Sequence, residues 1–269
     1  VILTTATSGE IDLTGSTFTN SGSGVGFVLS TKIHLTNGRA YSSSVWGAFA
    51  IFTSNVEAKL TDCKGFGTGA GYGIRCHNGG ELVNCYGEAD SGIGIYGSAG
   101  SSINCVGVSI SGFGFQGGGD HIDCIGKSIS GIGFVAVNQE IIIGCTGFSV
   151  SGVGFNVGGG SNLTERVSGI SSSNYGIQFG TFGKAYDIHS RSSSQLSVKG
   201  GNGNEIRKGT IICNWNDPLG VGISGNGGAI VNTIINCSFK LSNATAPYLD
   251  NGGVAYAIIM ANNTYEGGG

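Results

Sequence analysis

Residues 92–134 read GIGIYGSAGSSINCVGVSISGFGFQGGGDHIDCIGKSISGIGF, and one phrase passes three times within them. Gly92-Ile93-Gly94-Ile95 returns as Gly112-Phe113-Gly114-Phe115 and again as Gly131-Ile132-Gly133-Phe134. Further copies lie on either side, at Gly24-Val25-Gly26-Phe27, Gly71-Tyr72-Gly73-Ile74, Gly152-Val153-Gly154-Phe155 and Gly220-Val221-Gly222-Ile223. Weaker ones are Ala48-Phe49-Ala50-Ile51, Asn174-Tyr175-Gly176-Ile177 and Gln195-Leu196-Ser197-Val198. The central small residue recurs every 19 to 25 positions, from Gly26 to Gly222. A second ladder keeps step with it: Cys63, Cys85, Cys105, Cys124 and Cys145, continued by Val167, Ser190, Cys213 and Cys237. Repetition at this period marks a solenoid. Each repeat holds short runs rich in β-branched residues, separated by Gly, Ser and Asn. No segment shows a helical period, and the leucine-rich signature is absent. The expected fold is therefore all-β: a single right-handed parallel β-helix of about ten coils over residues 1–239. Residues 240–269 are expected to form an irregular segment and C-terminal cap, because solenoid ends must be covered.

Composition agrees with that reading and removes several function classes. Of 269 residues, 53 are Gly and 2 are Pro, while 39% are hydrophobic, which is neither collagen nor a disordered linker. A net charge of −3 gives no basic field for nucleic acid. No apolar run reaches the roughly 18 residues of a membrane span. Of the 8 cysteines, 7 fall in one column rather than in a loop framework or close zinc-type pairs, so free structural thiols are expected, with no metal and no cofactor. Val1 opens without a signal-peptide pattern, as in a fragment or processed chain.

Alternation along a strand assigns faces. In Gly-X-Gly-Φ the X and Φ residues are expected inside and the middle residue outside. A column of Gly73, Gly94, Gly114, Gly133, Gly154 and Gly176 would then run along an outer face, as a subunit interface, a flat floor for a glycan, or simply a place where glycine relieves twist. Two residues on, Arg75, Tyr96, Gln116, Val135, Asn156, Gln178 and Lys199 form the next outward column; of these, Arg75, Tyr96, Gln116, Asn156 and Gln178 suit stacking and forked hydrogen bonds to sugar. Val83, Ile103, Ile122 and Ile143 are expected inside with the cysteines. The acidic residues are scattered. Asp120, Asp123 and Glu140, with His121 nearby, are the best local group for acid–base cleavage of a polysaccharide by hydrolysis or elimination.

The stacked phrases and the Cys/Ile ladders, over roughly residues 20–240, resemble the pectate-lyase-like right-handed parallel β-helix superfamily, and within it phage tailspikes and related virion proteins. That resemblance implies a homotrimeric virion appendage, assembled in the host cytoplasm, that binds bacterial surface polysaccharide; a secreted protein is the alternative. The paired acids of the hydrolases and the Arg/Lys/Asp cluster of the lyases are missing from this sequence. The expected role is accordingly binding or structural, with a polysaccharide hydrolase or lyase as the rival.

Overall fold

Strands recur in threes along the chain, and each third strand joins the same sheet. A computed structural model describes residues 2–3, 8–21, 27–29, 32–43, 46–51, 58–77, 79–98, 100–137, 141–158, 163–180, 183–193, 198–200, 205–213, 221–225, 232–241, 248–250 and 258–267. These residues form two compact units, Val1–Val135 and Ala136–Gly269. Both consist of parallel coils with no helix among the described residues, the architecture of a right-handed parallel β-helix. In the first unit one coil runs through Ile95–Gly97 (sheet A), Ser102–Ile103 (sheet B) and Val106–Ser109 (sheet C) before returning to sheet A at Phe115–Gly117. In the second, Phe155–Val157, Leu163–Glu165 and Ser168–Ser171 do the same and return at Ile177–Phe179. Strands Tyr248–Asp250, Ile258–Ala261 and Thr264–Gly267 keep parallel pairing to the strands before them.

The corner between sheets B and C is one residue long and left-handed. In the first unit it is occupied by Asn37, Asp62, Asn84, Asn104 and Asp123, at φ of 52 to 57°. Asn and Asp tolerate this conformation better than other side chains. The extra turn shifts the alternation by one residue. Leu82, Ser102 and His121 therefore point inward in the first unit and Ile142 in the second, whereas Val83, Ile103 and Ile143 are half-buried and Ile122 is exposed. The sequence expectation for those four is corrected here: period-two counting fails across a left-handed corner. The cysteine after the corner does face inward. Cys63, Cys105 and Cys124 each donate to the carbonyl two residues back at 3.3 Å. Further on, the column continues through Val167, Ile188 and Cys237, all buried, with Gly209 between the last two; it does not pass through Ser190 and Cys213, which lie on sheet C.

The corner between sheets C and A explains the glycines. Gly65, Gly87, Gly107 and Gly126 of sheet C meet the carbonyls of Gly73, Gly94, Gly114 and Gly133 with no side chain between them. In turn, a Cβ at Gly94 or Gly114 would strike the backbone of Val108 or Lys127. The second unit repeats this with Gly147 on Gly154 and Gly169 on Gly176. The column expected on an outer face is therefore an internal one. Alternation misplaced it because Gly-X-Gly belongs to the turn that enters sheet A, and only Φ lies in the strand. Buried serines close the same turn: Ser109 Oγ donates to the Gly92 carbonyl at 2.8 Å and accepts from Gly112 N–H at 2.9 Å. Ser128 and Ser171 repeat the pattern.

The Φ residues Ile74, Ile95, Phe115 and Phe134 fill the first unit, as Phe155, Ile177 and Val198 fill the second. Phe49, not Ile51, stands in register with Ile74. His121 is fully buried, edge-on to Phe115 at 5.1 Å and to Phe134 at 5.7 Å. Burial lowers its pKa from 6.5 to about 4.

Two measurements follow. Gly114→Ala should cost at least about 3 kcal/mol in urea unfolding, because rigid backbone cannot make room. Gly97→Ala, whose new methyl would find only Ser102 Oγ at 3.8 Å, should change stability by less than about 1 kcal/mol. Since His121 stays neutral in the fold down to about pH 4 while the unfolded chain takes up its proton near 6.5, stability is complete above that value and falls as pH drops through the interval. Between pH 7 and 4.5 the wild type should lose about 2–3 kcal/mol more than His121→Leu.

Candidate functional site

On the outside of sheet A, strand alternation works as the sequence implies except at Val135, which was expected in the outward column and is buried. Ile74 and Cys76 point in and Arg75 points out; Ile95 and Gly97 point in and Tyr96 points out; Phe115 and Gly117 point in and Gln116 points out. Parallel pairing places Arg75, Tyr96 and Gln116 directly beside one another on successive coils. In the second unit Asn156, Gln178 and Lys199 stand in the same relation.

Aromatic rings crowd the first of these groups. The Arg75 guanidinium lies 4.8 Å from the ring centre of Trp46, 5.0 Å from that of Tyr72 and 6.0 Å from that of Tyr96. Tyr72 and Tyr96 pack at 5.6 Å, and His77 meets Tyr96 edge-on at 5.5 Å. Ser98 Oγ lies 3.4 Å from His77 Nδ1. Arg75 is held by cation–π contact on several sides, which fixes a donor fork within an aromatic surface. Trp46 remains 44% exposed, while Tyr72, Arg75, His77 and Tyr96 are half-buried. Burial, followed by the Arg75 charge, lowers the His77 pKa, so its imidazole is neutral near pH 7. Such a surface can stack the apolar faces of sugar rings and offer Tyr, Arg and His hydrogen bonds at their edges. In the second unit Lys199 Nζ lies 5.0 Å over the Tyr175 ring, beside the Asn156 and Gln178 amides.

Trp46, Tyr72 and Tyr175 were not singled out by the sequence, whereas His77 was expected at the surface beside the core thiol of Cys76, and it is half-buried there. Tyr72 and Tyr175 occupy the X position of Gly-X-Gly-Φ, which strand alternation assigns to the interior. Because that position lies in a turn, both rings come half out. The available signal was a tyrosine where neighbouring repeats carry Ile, Val or Phe.

The carboxylates fall elsewhere. Asp120 precedes the sheet B strand at His121–Ile122, and Asp123 is the left-handed corner residue after it; both are exposed. His121 between them points into the core, so it cannot join them in acid–base chemistry at the surface. Glu140 lies outside the described residues. Among the described residues no group of three or more His, Cys, Asp or Glu could hold a metal ion.

No protein-family model matches the chain. No curated protein matches it either. Among solved structures, it is similar to the A-module of mannuronan C-5 epimerase AlgE4 from Azotobacter vinelandii, with a TM-score of 0.59 and 11% identity over 96% of this chain and 89% of that one. The A-module of AlgE6 from the same organism gives a TM-score of 0.50 at 11% identity, over 96% and 91%. At such identity the likeness is one of fold. It supports the β-helix part of the resemblance; neither neighbour is named as a tailspike or virion protein.

Proposed function

We propose that this chain binds a bacterial surface polysaccharide along the outer face of sheet A, without cleaving it. The observation that carries the reading is Arg75 packed among Trp46, Tyr72 and Tyr96. An arginine needed only for charge would point into water. Here aromatic rings surround it, which fixes its donor fork beside a surface that can stack on sugar. Gln116, beside Tyr96 in the first unit, and the paired Asn156 and Gln178 in the second supply uncharged donor–acceptor groups. The fold likeness to modules of enzymes named for mannuronan agrees with a carbohydrate ligand. The wider setting we attach to this reading is a homotrimeric virion appendage.

Affinity electrophoresis through gels containing capsular and O-antigen polysaccharides tests the binding. At least one polysaccharide should retard the wild type. Trp46→Ala and Tyr96→Ala should each weaken retention roughly tenfold, about 1.4 kcal/mol, with unchanged thermal melting. Asp120→Asn and Asp123→Asn should leave both retention and the polymer's chain length unaltered; release of new reducing ends or unsaturated sugars that either variant abolishes would establish the cleaving enzyme instead. Light scattering tests the setting: the trimer reading requires three times the chain mass of 27.1 kDa.

A further inference from the structure

The outer face of sheet C in the first unit carries a second surface, on strands Arg39–Ser42, Lys64–Gly67 and Tyr86–Ala89. Their inward positions are Ala40, Ser42, Gly65, Gly67, Gly87 and Ala89, all buried. Pairing aligns Arg39, Lys64 and Tyr86 in one outward row and Tyr41, Phe66 and Glu88 in the next. Tyr41 and Phe66 stack at 4.7 Å with only 13° between their planes, and Phe66 meets Tyr86 at 5.9 Å. The Arg39 guanidinium lies 5.1 Å from the Phe66 ring centre and 5.5 Å from that of Tyr41.

Packing accounts for the rings, since aromatic cross-strand pairs stabilise a sheet. It does not account for the charges. Arg39 and Lys64 are directly paired like charges, an arrangement that costs stability. Among the described residues neither forms a salt bridge. The row's one carboxylate, Glu88, accepts a hydrogen bond from the Tyr86 hydroxyl at 2.8 Å. Beside the two cations lies an open groove of about 320 Å³, also lined by Ser16, Thr17, Asn37 and Asp62. Two adjacent cations facing a groove, next to a flat aromatic stack, are complementary to a sugar ring bearing a negative substituent.

We infer that sheet C holds a second site, for an acidic glycan: a sugar packs against the outer edges of the Tyr41–Phe66 stack while its carboxylate is held by Arg39 and Lys64. The inference rests on the polysaccharide reading for its ligand class, and adds a separate face and a charge requirement. Isothermal titration with tetragalacturonate and with its carboxyl-reduced counterpart tests it on the whole chain at low salt. The acidic form should bind at least tenfold tighter than the reduced form. Arg39→Gln and Lys64→Gln should each weaken it about tenfold without lowering the melting temperature, and Trp46→Ala should leave it unchanged. Equal affinity for both forms, no binding of the acidic one, or a loss with Trp46→Ala that Arg39→Gln does not match would overturn the inference. Retention on surface polysaccharide is read separately through the sheet A variants, so either site can fail while the other stands.

Discussion

Sheet C touches the turn into sheet A through bare backbone. Where Gly107 meets the Gly114 carbonyl, and Gly114 meets the backbone of Lys127, no atom can be added without moving a main chain. Strand interiors normally avoid glycine because it lowers stability. Here its absent side chain lets each coil close. The buried serines Ser109, Ser128 and Ser171 then satisfy groups that closure would orphan, each accepting from one N–H and donating to a carbonyl on the preceding coil. Inside, Φ residues from successive coils stack, as Phe115 and Phe134 do at 4.6 Å. Glycine abundance in this chain is thus a packing requirement, and the outer faces are left to other residues.

The period of the repeats made the fold legible, since coils that stack in register must repeat in sequence. Directions were legible only within strands. Inside sheet A, counting by two placed Arg75, Tyr96, Gln116, Asn156 and Gln178 outward, as the structure has them. Across corners it failed. A left-handed Asn or Asp inverted the expected facing of Val83 and Ile103, and the turn before sheet A turned the glycine column inward. Register also slipped where the small-residue phrase was degenerate: in Ala48-Phe49-Ala50-Ile51, two candidates fit, and Phe49 is the one aligned with Ile74. The cysteine ladder slipped onto Ser190 and Cys213 because the residues that follow the corners Asp187 and Lys208 are Ile188 and Gly209 rather than cysteines.

The candidate site was half legible for the same reason. Its strand residues could be counted out, but the aromatic rings that give it character come from turns, and side chains in turns obey no period. What results is a surface made before any ligand arrives. Arg75 is already immobilised among rings, so little rotamer freedom remains to be lost on binding. Asp120 and Asp123, by contrast, stand on the sheet B side of the coil, and the histidine between them, His121, is buried.

Hydroxyl-radical footprinting of the chain, with and without the polysaccharide that retards it, tests the account most directly. Bound polymer should protect Trp46, Tyr72 and Tyr96 from oxidation while leaving Ile122 on the outside of sheet B as reactive as before. Protection centred on sheet B, with Trp46 and Tyr96 oxidised at their free rates, would contradict the assignment of the binding face.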